Sequence, residues 1–414
     1  MMVKRFRLLL HSYPNQFWLM FVGMLISTVG ASMIWPFLMI YVSKRLNAPM
    51  TLAASLLTLN AAMGLIASFL GGPLLDRIGR KWIMVFSLAA NGAAYIFLGH
   101  ASAFPQFALL LGITGAVNPL YRSGADTMMA DLVPPERRAD AYSLMRLSNN
   151  LGISVGPLIG GFIASTSYTL AFYCAAAGMM LYSLLMMLLG KETMPARPTA
   201  EVDSTLKREA FGGYPAILRD GRFMSFIATF TLVSVCAVLM WTIMPVYANR
   251  NFQVPENVYK WIPATNAMMV VFFQQLVTQI TKRYAPLRAL AAGALFYAVA
   301  AGGVALATHF WGFWVCMVVM TIGELILAPT SSTYAANLAP SDKRGRYMSL
   351  YGLTWPVGAG VGPIFGGLLN DLLGPQATWY GGMVVGLIGA LIFALLGRHI
   401  SSMQGLTTPT SAAD

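Results

Sequence analysis

Ionisable side chains inside long apolar runs cost roughly 2.5–3.5 kcal/mol each at mid-membrane depth, so the few kept there are the first place to look for chemistry. Glu324 stands near the middle of such a run, in TIGELILAPTSS. Arg122 and Asp126 stand one helical turn apart in NPLYRSGAD, and Arg146 lies in SLMRLSNN. Residues three and four apart share a helical face, which groups Asn118 with Arg122 and Asp126, and Thr321 with Glu324 and Ala328. A carboxyl that is neutral when buried and ionised when wetted can carry a proton, and Glu324 has no basic residue within a turn of it. Glu324 and Asp126 are therefore candidate proton-coupling residues, with Asn118, Arg122 and Thr321 as candidate cavity residues. Plainer roles stay open. Arg122 and Asp126 can neutralise each other, and Glu324 can be a permanently protonated acid or the partner of Arg122.

The elements that must hold these groups are helices. Of 414 residues 57% are hydrophobic and 10% charged, against roughly 25% charged in a soluble domain. Apolar runs long enough to cross a hydrocarbon core of ~30 Å are read at 16–42, 50–74, 81–101, 104–131, 140–165 and 168–190. A second set follows at 223–249, 257–281, 288–308, 310–336, 346–371 and 376–398. The pattern predicts an all-α membrane protein with twelve transmembrane helices. They form two six-helix halves, 1–190 and 223–398, joined by a linker at 191–222 and followed by a tail at 399–414. The linker mixes charge, Pro and Gly, with a short surface helix expected near Leu206–Leu218.

The halves are copies. ADLVPPERRADAYSLMRLSNNLGISVGPLIGG at 130–161 returns 206 positions later as ANLAPSDKRGRYMSLYGLTWPVGAGVGPIFGG at 336–367. The shared GxxxGPxxGG places Gly152, Gly156, Pro157, Gly160 and Gly161 over Gly358, Gly362, Pro363, Gly366 and Gly367. The same offset relates Trp35 to Trp241, Tyr41 to Tyr247 and Asn118 to Glu324, so the chain is a tandem duplication. GxxxG spacing brings helix backbones together in lipid and Pro frees a backbone bond. Spans five and eleven are thus expected to make close, bendable contacts with the opposite half.

Charge gives the orientation. Of the 27 Lys and Arg, 21 fall at one face of the twelve-span arrangement, and Lys44, Arg45, Arg250 and Lys260 at the other. The positive-inside rule puts both termini and the linker in the cytoplasm, in a plasma (inner) membrane. The net charge of +12 follows from this bias and needs no nucleic-acid partner. Cys174, Cys236 and Cys316 lie in apolar segments without metal or disulfide spacing, and there is no nucleotide-binding P-loop. No metal, cofactor or enzymatic activity is expected.

GPLLDRIGRK at 72–81, between spans two and three, resembles the signature loop of the major facilitator superfamily, and GxxxGPxxGG in span five is similar to the further signature of its drug–proton antiporter branch. The resemblance implies halves related by pseudo-twofold symmetry, with spans one, four, seven and ten lining a central cavity. It also implies a conformational latch of Gly72, Asp76, Arg77, Gly79, Arg80 and Asp131. There Asp76 faces the start of span eleven, and Arg77 or Arg80 pairs with Asp131. Two features depart from the pattern: span one carries no acid, and the basic residue of span four comes late, at Arg122. Trp35, Trp241, Tyr41, Tyr247 and the 27 Met suit an adaptable apolar cavity. The implied function is a monomeric, proton-coupled exporter of lipophilic or amphiphilic small molecules, in contact with membrane lipids. The alternatives are a lipid or lysolipid flippase on the same fold, and a uniporter of a polar metabolite.

Overall fold

The computed structural model describes residues 13–194, 217–340 and 343–406, without the side chains at 72, 73, 76, 139 and 399–406. Most of the expected linker and its surface helix, the basic residues before 13, the end of the tail and the Asp76 side chain lie outside the described residues. Every described element is helical. In chain order these are α1 (Asn15–Ile34), α2 (Leu38–Leu46), α3 (Met50–Ile78), α4 (Arg80–Leu98), α5 (Phe104–Leu132), α6 (Arg138–Thr166) and α7 (Tyr168–Leu189). They continue as α8 (Gly221–Thr242), α9 (Met244–Phe252), α10 (Glu256–Tyr259), α11 (Trp261–Thr281), α12 (Pro286–Leu306), α13 (Phe310–Leu338), α14 (Arg344–Gly352), α15 (Thr354–Leu373) and α16 (Ala377–Leu406).

Ten of the described helical stretches are long and apolar enough to cross a membrane, with α1 and α2 counting as one and α14 and α15 as another. Expected spans four and eight, now α5 and α11, fall short on composition. Gln106, Asn118, Arg122 and Asp126 dilute the first, and Asn266, Gln274, Gln275 and Gln279 the second. Phe69, Leu188 and Leu372 are 72%, 67% and 76% exposed, an apolar exterior suited to lipid.

Contacts group residues 1–199 with 245–267 as one compact unit, and 200–244 with 268–414 as the other. Within the first, α1 packs on α6 and α7, and α4 on α5 and α7; within the second, α8 packs on α15 and α16, and α12 on α13 and α16. Shifted by 206, the second set of neighbours repeats the first. The first core is rich in methionine, with Met20, Met84, Met128 and Met186 fully buried. These thioethers fill gaps in the interior rather than forming cavity walls.

Lipid tails give helices little hydrophobic reason to associate, so close backbone approach has to supply the packing. A Cβ on Gly156 or Gly160 would strike α1 at Ser32 and at the Met33 carbonyl oxygen. Gly152 faces Thr28, and the Ser32 hydroxyl donates to the Gly152 carbonyl at 2.8 Å. In the second copy Gly358 and Gly362 meet Ser234 and Val238 of α8, while Gly366 meets Leu239 and Ile243. The glycine motif therefore packs span five on span one and span eleven on span seven, each in its own half. This corrects the expected contact with the opposite half. Gly161 is an exception and faces Glu256 and Lys260. Pro157 and Pro363 sit inside α6 and α15.

The stretch 72–81 also differs from its expected form. Residues 72–78 finish α3, Gly79 alone turns the chain at φ 101°, and Arg80 begins α4. Gly72 is therefore helical, and the requirement for glycine falls on Gly79, whose backbone lies where L side chains are strained.

Candidate transport site

The first unit encloses a cavity of about 680 Å³, lined from α1, the 3₁₀ turn at Trp35–Phe37, α2, α3, α4, α5, α6 and α7. Asn118, Arg122 and Asp126 reach it from successive turns of α5, Arg146, Asn149 and Asn150 from α6, and Trp35 from the end of span one. Pro119 lies inside α5 beside Asn118. Bonds among the lining residues brace the wall. The Asn60 amide donates to the Thr114 hydroxyl at 3.0 Å and to the Leu111 carbonyl at 2.8 Å, and Thr28 donates to Asn149 at 3.4 Å. Among the described residues no carboxylate comes within 4.0 Å of the Arg122 or Arg146 guanidinium. Arg122 and Asp126 share the face without forming a close ion pair.

The second unit holds a smaller cavity of about 320 Å³ around Glu324 of α13. Phe230, Trp241, Tyr297, Tyr351 and Trp355 form most of its wall, and the Tyr351 hydroxyl is 2.8 Å from that of Ser331. Shifted by 206, every residue lining this cavity except Thr354 falls on one lining the first, Glu324 on Asn118 and Trp241 on Trp35 among them. Thr321 is absent from the wall. It is fully buried, and its hydroxyl bonds back to the Met317 carbonyl at 2.7 Å. The facial grouping with Glu324 fails because residues three apart diverge by about 60° around a helix. Tyr41 and Tyr247 are likewise interior, 2% and 1% exposed, with Tyr41 donating to the Leu98 carbonyl at 3.0 Å.

At the α3–α4 turn the Arg80 Nε is 3.3 Å from Asp131, which also accepts the Thr193 hydroxyl at 3.0 Å. Arg77 points to the exposed side of the turn. Glu192 caps α4, accepting the Arg80 and Lys81 amides at 3.0 and 3.1 Å. A Cβ on Gly79 would collide with that carboxylate. Glu192 was missed because it sits where the sequence reads as linker. A capping acid arriving from over a hundred residues away leaves no local signal.

A further cluster joins loop residues. Glu256, at the start of α10 and 6% exposed, accepts from Lys44 and from the Tyr168 hydroxyl, each at 2.7 Å. Burial pushes the Glu256 carboxyl up, but the hydrogen bonds from Lys44 and Tyr168 outweigh it and hold it below its ordinary 4.5. Arg250 adds a bond to the Ser43 carbonyl at 3.0 Å.

Among the described residues, ten helical stretches of membrane-crossing length and two matched cavities bearing ionisable residues define a polytopic membrane protein. The Major Facilitator Superfamily profile matches residues 20–255 and 235–409, and the chain belongs to that family of transporters. It is 27% identical over 401 residues to the uncharacterised MFS-type transporter YttB of Bacillus subtilis, covering 94% of this chain and 97% of that one. It is 24% identical to a Na(+), Li(+), K(+)/H(+) antiporter of Planococcus maritimus, covering 92% and 93%. It is 25% identical to the multidrug resistance protein MdtH of Escherichia coli, covering 81% of each. Among solved structures, a POT family transporter in complex with a thioalcohol-conjugated peptide matches with a TM-score of 0.77 at 16% identity, covering 94% of this chain and 97% of that one. That likeness is one of fold.

Proposed function

We propose that this transporter is a proton-coupled antiporter that exports amphiphilic small molecules by alternating access between two six-helix halves. In this reading twelve helices cross a plasma (inner) membrane with both termini cytoplasmic. The observation that carries it is the duplicated cavity: equivalent faces of two copies are kept open, and each holds ionisable residues where an ordinary helix bundle would pack apolar ones. Glu324 is the principal proton carrier, Asp126 the second, and Asn118, Arg122, Trp35 and Trp241 meet the substrate. The resemblance of MdtH and of the cation/proton antiporter agrees with export coupled to protons. The turn at 72–81, with Arg80 and Asp131, serves as the latch of one conformational state, and Asp76 is assigned to it on the motif alone. The glycine motif gives each half a tight, Pro-loosened helix pair.

A uniporter of a polar metabolite is the second reading. It is favoured by the asparagine-rich first cavity, whose five asparagines come from α3, α4, α5 and α6, with Ser27 and Thr28 added from span one. Reconstituted vesicles decide between them. Antiport requires counter-flow of protons when a substrate is added, and accumulation driven by an imposed pH gradient. A uniporter equilibrates its substrate and moves no protons. Transport of a fluorescent lysolipid that persists after the gradient is collapsed would point to a flippase.

A further inference from the structure

We infer that the first cavity binds an anionic group of the transported molecule, a carboxylate held between Arg146 and Arg122. The inference builds on the transporter reading by naming a substrate class, though its binding test stands alone. Two arginines and one aspartate line the cavity, a formal balance of +2 − 1 = +1, and the remaining titratable wall residues are Tyr95, Tyr121 and Tyr142. Neither guanidinium is within 4.0 Å of a carboxylate among the described residues, so both forks keep donors for a ligand. A guanidinium presents paired N–H groups matched to a carboxylate. A cationic ligand would meet one carboxylate against two like charges.

The duplication supplies the control. Ala328 occupies the position equivalent to Arg122, and Gly352 that equivalent to Arg146. The scaffold can therefore line this surface without arginine, and packing alone does not call for these side chains. Asn91 is a second, independent pointer. It lines the cavity, is 6% exposed and has no hydrogen-bond partner among the described residues. Its polar atoms face the cavity, where an amide can both donate to and accept from a ligand. Asn118 and Asn150 add further side chains to the wall. The volume suits a drug-sized solute, since ligand sites run from about 300 to 1,000 Å³.

The test uses the full-length protein in lipid nanodiscs, with empty discs subtracted, and three probes that share one ring system: 2-naphthoate, 2-naphthamide and 2-naphthylmethylammonium. Equilibrium dialysis near pH 7 should give naphthoate at least tenfold tighter than the other two. Arg146→Gln and Arg122→Gln should each weaken naphthoate about tenfold and leave naphthamide within twofold, which also reports that the variants are folded. Arg146→Lys should recover part of the loss. Equal or tighter binding of the amide or the ammonium, no binding of naphthoate, or naphthoate affinity unchanged in both arginine variants would each overturn the proposal. Counterflow in naphthoate-loaded vesicles separates the two levels. Arginine-dependent binding without counterflow sinks the transporter reading alone, whereas counterflow indifferent to charge sinks this inference alone.

Discussion

The cavities of the two units are drawn from the same positions of a duplicated sequence, yet one is lined by asparagine and arginine and the other by aromatic rings around one acid. Where the first has Asn91, Met145 and Asn149 the second has the larger Tyr297, Tyr351 and Trp355, and the volumes are about 680 and 320 Å³. Which residues line a cavity is decided by helix geometry, and geometry was copied. What those residues do is decided by side-chain chemistry, which was free to change. The glycine motif diverged at one matched position: Gly160 presses on the Met33 backbone, whereas its counterpart Gly366 meets side chains.

The largest expected effect comes from moving the acid between copies. Glu324→Asn should abolish accumulation driven by a pH gradient. One proton moving down ~100 mV and about one pH unit supplies ~2.3 plus ~1.4 kcal/mol, a several-hundredfold concentration ratio. Adding Asn118→Glu should not restore it, because the new carboxyl would stand one turn from Arg122, where the second copy has Ala328, and so in a different electrostatic setting. Recovery of gradient-driven uptake in the double variant would show that the two cavities are functionally interchangeable.

Packing comes next. Gly160→Ala places a Cβ against the Met33 backbone, which cannot yield, and should cost about 1–3 kcal/mol. Gly366→Ala meets the Leu239 Cδ2 at 2.5 Å, the end of a flexible side chain, and should cost a fraction of that. Thermal unfolding of the two variants in one detergent checks the ranking, and equal losses would erase the proposed difference between copies.

A smaller effect separates pairing from binding at Arg122. Exchanging Arg122→Asp with Asp126→Arg should leave transport about tenfold down, since no close pair exists to be rebuilt. Substantial rescue would make the two residues a structural pair, with no counterpart to explain in the second cavity.

The smallest concerns Glu256. Its carboxyl is held below 4.5, so its ionised form favours the folded state. That contribution is present at neutral pH, fades as pH falls past 4.5, and is gone below the folded value. Lys44 is 48% exposed, so the gain over Glu256→Gln should stay under ~1 kcal/mol. Melting temperatures of wild type and variant should differ at pH 7 and converge toward pH 4. A gap that widens with acidification would reverse the assignment.

Much of the site was legible. An ionisable residue in an apolar run is costly enough to announce itself, which is why Glu324, Arg122, Asp126 and Arg146 could be named and why each lines a cavity. Asn91, Asn149 and Asn150 were not singled out, since asparagine in a helix has many uses and none is marked by cost alone. Thr321 was misjudged because a facial argument fixes a direction only to within a turn, and its hydroxyl had a nearer partner in the Met317 carbonyl.

The sequence by itself determined that the chain is helical, suited to a membrane and written twice, because apolar run length, charge bias and a fixed offset are properties of one dimension. Tertiary structure decided the partners. Glu192 caps a helix begun 112 residues earlier, Glu256 answers Lys44 across 212, and span five packs on span one of its own half. Such pairings depend on which helix faces meet once the backbone is closed, and local spacing carries no information about residues that many turns away.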